Sequence, residues 1–241
     1  LELIKQYILN DPAGVSPLLY TGITLLIIAL AFKVGAAPFH FWAPDVYEGS
    51  PSLITAYMST VVKTAGFAAF LRLIMFSFAP VQDFWIPIII TLAVLPLLIV
   101  NETAVYQQHF KRMLAYSSIS HVGYMLFSLL ALNGSSDNAV FVYAAAYSVA
   151  SIIAFGVLIL MQRQVGNDSF DSFNGLAKKN PFLALTLTIA MLSLAGIPLT
   201  AGFIGKFMMF SRALASYHVV LVVFAVLNAI VGRFYYFRVI G

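Results

Sequence analysis

Residues Ser52–Phe78 read SLITAYMSTVVKTAGFAAFLRLIMFSF. The run is apolar almost throughout and long enough to cross a bilayer, which takes about 20 residues of helix. Near its middle stands Lys63, about eleven residues from either end, or roughly 16 Å at 1.5 Å per residue. A lysine stem cannot lift its ammonium to the headgroups from that depth, so snorkelling fails for Lys63. Working outward, the rest of the chain has the same character. Of 241 residues 61% are hydrophobic and 9% charged, with a mean hydropathy of +0.95. A soluble domain carries roughly 45–50% apolar and about 25% charged residues, so a soluble enzyme, a nucleic-acid binder and a disordered tail are excluded. Cysteine is absent, which removes disulfides, thiolate metal sites and iron–sulfur ligation from this chain. The net charge of +4 records orientation in a membrane protein rather than nucleic-acid binding.

Seven apolar segments follow, at about 17–38, 52–78, 85–101, 110–132, 139–162, 181–210 and 217–240. In lipid the backbone must satisfy its own hydrogen bonds, so segments of this length are helices. The alternation of transmembrane strands is missing. The fold class is therefore an all-α integral membrane bundle of about seven transmembrane helices. The junctions are Pro/Gly/Asn/Asp clusters at Asn10–Pro17, Pro44–Pro51, Ala79–Asp83, Asn133–Asn138 and Gly166–Gly175. Leu1–Pro17 lacks the basic start and cleavage site of a signal peptide, and Gly241 follows directly on the last apolar stretch; the chain reads as an internal piece of a longer protein. The connections after spans 1, 3 and 5 and the final exit hold Lys111, Arg112, Arg163, Lys178, Lys179 and Arg238, against Lys5, Arg72 and Arg212 on the other side. Positive residues mark the cytoplasmic face, so loops after spans 1, 3 and 5 are predicted to be cytoplasmic.

The nine carboxylates all fall in loops or near helix ends, whereas Lys33, Lys63 and Lys206 fall inside spans. Each buried lysine costs roughly 2.5–3.5 kcal/mol on insertion scales. Lysine gains and loses a proton where arginine stays charged, so a row of them points to protons moving within the bilayer. Two spans are interrupted near these lysines. KVGAAP, Lys33–Pro38, is followed by FHFW, and AGIPLTAG, Ala195–Gly202, by FIGK ending at Lys206. Proline removes a donor and glycine lets the chain unwind, freeing carbonyls that membrane depth tolerates only against protein or water. Either break alone reads equally as a proline kink. Together they lie five spans apart and cross in opposite directions, the pattern of a transport site between inverted repeats. Pro87 and Pro96 lack this company and read as simple kinks.

His121, beside Ser117, Ser118, Ser120 and Tyr124, reads either as a relay that passes a proton between lysines or as a histidine that bonds a neighbouring helix. His40 reads as a gate or a cap. Asp45 and Glu48 read as solvated loop charges or as part of a docking motif. Tyr116, Tyr124, Ser117 and Ser118 read as holders of ordered water or as packing glue. His109 and His218 receive no role, and no phosphate loop, metal cluster or nucleophile–base pair stands out.

Three stretches carry a resemblance. FKVGAAPFHFWAPDVYEGSP (Phe32–Pro51), KRMLAYSSISHVGY (Lys111–Tyr124) and LAGIPLTAGFIGKF (Leu194–Phe207) resemble the antiporter-like proton-pumping subunits of respiratory complex I, NADH:quinone oxidoreductase. The wording Pro44–Gly49 is similar to that of subunit N (subunit 2) in particular. The resemblance implies an inverted-repeat antiporter-like fold, with 1–241 a single transmembrane domain, 17–78 the tail of the first repeat and 85–241 the second. It implies a proton relay through Lys33, Lys63, His121 and Lys206, with Lys33 paired to a glutamate two spans upstream, and with His40, Pro38, Pro198 and Tyr124 gating or lining it. FMN, iron–sulfur clusters and quinone would lie elsewhere in the complex. The implied partners are other membrane subunits, the bilayer of the cell inner membrane, protons and internal water, with no nucleic acid. The alternative is a subunit of a multisubunit cation/proton antiporter or of a membrane-bound hydrogenase.

Overall fold

A computed structural model describes residues 1–10, 16–130, 136–215 and 219–240. The junctions expected at Asn10–Pro17 and Asn133–Asn138 fall largely, and His218 wholly, outside the described residues. The described part is helical: α1 (Glu2–Asn10), α2 (Pro17–Val34), α3 (Trp42–Gly49), α4 (Ser52–Ser77), α5 (Ala79–Val105), α6 (Phe110–Leu130), α7 (Ser136–Val165), α8 (Pro181–Ala195), α9 (Ala201–Ala215) and α10 (Val219–Ile240). Six are long and apolar enough to span a membrane: α2, α4, α5, α6, α10 and, from Ala139, α7. The sixth expected segment is split, with α8 and α9 each 15 residues long on either side of a break.

α6 is the axis of the bundle. Of its most apolar window 94% is buried within the chain, against 22% for α2. A helix surrounded by others has to satisfy its polar side chains on its neighbours, and α6 carries Ser117, Ser118, Ser120 and His121, all buried.

Several boundaries differ from the expected ones, each for a local reason. α5 starts at Ala79 and continues to Val105, beyond 85–101 on both sides. Asp83 sits in the first turn of its α-helical part, Gln82–Leu95, where a carboxylate suits the positive end of the helix dipole. The polar run Asn101-Glu-Thr103 stays helical because Asn101 is buried and bonded: its side chain donates to Asn228 O at 3.2 Å. Pro96 opens a π-helical turn over Pro96–Val100 rather than a plain kink, and α4 has similar turns at Met58–Val62 and Arg72–Ser77. Pro44–Pro51 is not a loop throughout. It holds α3, whose Pro44 falls in the first turn, where the missing N–H has no partner to lose. α1 was not anticipated, and it buries Ile8.

Both interrupted spans end in the same way. At the end of α2, Gly35 (φ 75°) donates to Phe32 O at 3.1 Å and Ala36 to Ala31 O at 2.8 Å. At the end of α8, Gly196 (φ 74°) donates to Ser193 O at 3.1 Å and Ile197 to Leu192 O at 3.1 Å. This is the double closure of the Schellman cap, which needs a left-handed residue and so a glycine. The Phe32 carbonyl also accepts from Trp42 Nε1 at 2.9 Å, which ties the start of α3 to the end of α2.

The connections after α2, after α5 and after α7 meet at one end of the bundle. Arg112 pairs with Glu48 and, at 3.3 Å, with Asp45. Lys111 Nζ donates to the carbonyls of Glu48 (3.1 Å) and Ser50. His109 pairs with Asp168 at 2.9 Å, and Phe110 N donates to Asp168 O at 2.8 Å. Arg238, near the end of α10, donates to Gln107 O at 3.0 Å.

Candidate functional site

Lys63 follows directly on the π-turn of α4 and is 2% exposed. Its Nζ donates to Ser118 Oγ on α6 at 2.7 Å, and Ser118 donates in turn to Ala115 O at 2.8 Å. A π-turn widens the helix locally and often marks a functional position. Here it leads straight into the lysine.

One helical turn after Ser118, about 4.5 Å along the axis, His121 is also 2% exposed. Both ring nitrogens are engaged: Nδ1 with the Tyr143 hydroxyl on α7, and Nε2 with the Tyr236 hydroxyl on α10 at 3.0 Å. Tyr236 also shares a hydrogen bond with Ser117, and the Tyr147 ring lies 4.8 Å from the imidazole. A second polar pair continues from there, as Tyr235 packs on Tyr236 at 4.5 Å and donates to Asn101 Oδ1 at 3.2 Å.

One further turn along α6, Tyr124 presents its ring to Lys206, whose Nζ is 4.7 Å from the centroid. Lys206 itself is 6% exposed and donates to Leu194 O at 3.1 Å and Ala195 O at 3.4 Å. Those are carbonyls at the broken end of α8, which carry the negative end of the helix dipole and favour a cation. The break and the lysine therefore complete each other. Gly196 leaves the room, since a Cβ there would lie 3.0 Å from Lys206 Cδ. Gly205 lets α9 close on α7, since a Cβ there would come within 2.9 Å of Tyr143 Cα.

The structure thus brings together Lys63, His121, Tyr124 and Lys206 along α6. Lys33 is a different case. It stands in the last turn of α2 but is exposed on the surface of this chain, not buried as expected, because α2 turns that face away from the bundle. Pro38 and Pro198 are exposed at their breaks. His40 is buried beside the first break, stacked on Phe41 at 4.6 Å, and its Nδ1 has no partner among the described residues. Burial holds this imidazole below its usual 6.5, with the Pro38 carbonyl pulling the other way. Asp45 and Glu48 are helix-borne partners of Arg112 rather than free loop charges. The sequence surroundings of Tyr143, Tyr236 and Tyr47 read as packing, and only the fold shows that the hydroxyls of the first two meet His121. Among the described residues no three His, Cys, Asp or Glu side chains gather as a metal site.

With this geometry in view, comparison with known proteins is informative. Residues 2–232 match the model of the family described as NADH:quinone oxidoreductase/Mrp antiporter, transmembrane. The chain belongs to this family. It is a multi-pass membrane protein, with six helices long and apolar enough to cross a bilayer among the described residues. It is 44% identical over 232 residues to NADH-quinone oxidoreductase subunit N of Cytophaga hutchinsonii, covering 96% of this chain and 51% of that one. It is similar to a chain of respiratory complex I from Thermus thermophilus, at 37% identity and TM-score 0.81, with 95% of this chain and 50% of that chain covered. A chain of the Mrp complex from Dietzia sp. shares the fold at TM-score 0.86 and 22% identity, with 94% and 42% covered. The chain spans about half the length of the curated relatives that it matches.

Proposed function

We propose that this chain forms the later part of a subunit N of NADH:quinone oxidoreductase and carries protons across the membrane while electrons move elsewhere in the complex. One observation carries the reading: Lys63 and Lys206 are buried in a membrane bundle, and each amine is held by neutral oxygens, with no ion pair to either among the described residues. A buried ammonium locked to a carboxylate resists losing its proton, because the loss strands the partner charge. A hydroxyl or carbonyl oxygen accepts from NH3+ and from NH2 alike, more strongly from the cation, and loss of the proton strands no counter-charge, so these lysines can exist in both states. Between them His121 offers a group that takes a proton on one nitrogen and gives one from the other. The steps along α6 are one helical turn each, a spacing that ordered water bridges.

In this scheme protons enter at the end where α3 meets α6, reach Lys63, pass through His121 to Lys206 and leave on the opposite side. Charge on one lysine disfavours charge on the next, which supplies the coupling. The lysine and arginine count favours the cytoplasm for the α3 end. Lys33, exposed on α2, would face a part of the subunit that precedes this chain and find its counter-charge there. The identical caps at Gly35 and Gly196, on helices that run in opposite directions, favour the division into a repeat tail (17–78) and a second repeat (85–241). FMN, iron–sulfur clusters and quinone would belong to other subunits, with which this one associates through its membrane faces.

The test places Lys63→Ala and Lys206→Ala in the full-length subunit within its complex. Proton pumping in inverted vesicles is followed with a pH-sensitive dye, alongside NADH oxidation. Each variant is expected to lose most of its pumping. Pumping at the wild-type level in both overturns the relay.

A further inference from the structure

Tyr47 on α3 is fully buried, yet its hydroxyl has no hydrogen-bond partner among the described residues. Leaving a buried hydroxyl unpaired is unfavourable, and phenylalanine would fill the same space without that cost. The ring is packed in a small apolar cluster with Ala43, Val100, Ala115 and Ile119, apart from the main core. Its centroid lies 5.8 Å from Lys63 Nζ. Ser118, to which Lys63 donates, is near the Tyr47 hydroxyl but makes no hydrogen bond of good geometry to it. An ammonium has three hydrogens to donate, and Lys63 uses one of them on Ser118.

α3 is fastened with more contacts than a connecting turn needs. Trp42 Nε1 holds the Phe32 carbonyl at one end, and Lys111 Nζ holds the Glu48 and Ser50 carbonyls at the other. Arg112 pairs with Glu48 and Asp45, and Thr55 Oγ1 donates to Tyr47 O itself at 3.0 Å. Together these contacts fix where the Tyr47 ring stands.

We infer that Tyr47 is a positioning residue, whose hydroxyl and the free donors of Lys63 hold an ordered water at the entrance to the relay. A buried water needs two to four polar partners, and Tyr47 Oη, Lys63 Nζ and Ser118 Oγ supply them. The water hands a proton to the neutral amine and takes another from the α3 end, so it is regenerated at each passage. The inference rests on the relay proposed above and deepens it by naming what aligns the first transfer.

The experiment uses Tyr47→Phe in the full-length subunit within its complex, with Lys63→Ala beside it. Four quantities are read: proton pumping, NADH oxidation, the solvent deuterium isotope effect on turnover, and the melting temperature of the complex. If Tyr47 aligns the water, Tyr47→Phe loses only the bond of one hydroxyl, so the complex still assembles and melts close to wild type. Its pumping falls about tenfold, the rate equivalent of about 1.4 kcal/mol, and its isotope effect rises. Wild-type pumping and isotope effect in Tyr47→Phe, with Lys63→Ala inactive, overturn the role of Tyr47 and leave the relay standing. Wild-type pumping in Lys63→Ala overturns both. Should Tyr47→Phe assemble poorly, an electron-microscopy map of the wild-type complex that shows ordered water decides. Water within hydrogen-bond distance of both Tyr47 and Lys63 supports the inference, and a dry gap between them overturns it.

Discussion

Gly196 meets two demands at once. Its φ of 74° closes the cap on α8, and the space over its Cα takes the Lys206 stem. A left-handed conformation costs an alanine roughly 1–2 kcal/mol, and the new Cβ would stand 3.0 Å from Lys206 Cδ and 3.3 Å from its Nζ. Gly196→Ala is therefore expected to lower the melting temperature of the complex, by about the equivalent of 1–2 kcal/mol, and to reduce pumping by displacing the amine. Pro198→Ala, two residues on at an exposed position, is expected to change either quantity little. The reverse order of effects would refute this account of the break. At this scale the site was half legible. Lys63, Lys206 and His121 declare themselves because a titratable group in oil has a cost that composition alone exposes. Tyr143 and Tyr236 do not, because an aromatic residue in an apolar helix reads as packing. His121 and Tyr236 are 115 positions apart in the chain, and only the fold brings them together. Lys33 shows the converse: sequence places it within a span, but which way α2 turns it is a tertiary fact.

Helices were legible where hydrophobicity alone decides, and misread where polar residues stay helical for tertiary reasons. Glu102–Val105 is the plainest case: the helix runs on past the expected end at 101, where the Asn101 amide is satisfied across the bundle. The π-turns left no signal, because one extra residue only shifts the phase of the helix faces, and a span apolar all round does not display that phase. α3 was misread because Pro, Asp and Gly in Pro44–Gly49 also spell a turn. What holds α3 in place separates two neighbouring cations. Lys111 is 5% exposed and satisfies two backbone carbonyls, of Glu48 and Ser50. Arg112 makes ion pairs whose carboxylates are 74% and 40% exposed. Exposed pairs contribute about 0–1 kcal/mol, whereas a buried polar group left unpaired costs about 1–3 kcal/mol. Lys111→Ala is thus expected to destabilise the complex more than Arg112→Ala, as a larger fall in melting temperature. An equal or reversed effect would mean that the ion pairs, not the carbonyl bonds, hold α3.

Across the whole molecule, the proposed relay acquires a direction only from the sidedness of the bundle. The connections after α2, α5 and α7 and the end of α10 are joined at one face by Arg112, Lys111, His109 and Arg238, so these segments share a compartment. Which compartment it is rests on six basic residues against three, an asymmetry that the insertion machinery reads from loops close to the membrane. The absence of cysteine from the chain makes the question directly measurable. Lys179 lies exposed in the connection between α7 and α8, and Asp83 lies exposed near the start of α5, at the opposite end. With a membrane-impermeant maleimide, Lys179→Cys is expected to react in inverted vesicles and stay protected in intact cells whose outer barrier has been permeabilised. Asp83→Cys is expected to do the opposite. The reversed pattern would place the α3 end outside. Tyr47 and Lys63 would then mark the exit of the path instead of its entrance, and Lys206 would be the lysine that loads from the cytoplasm.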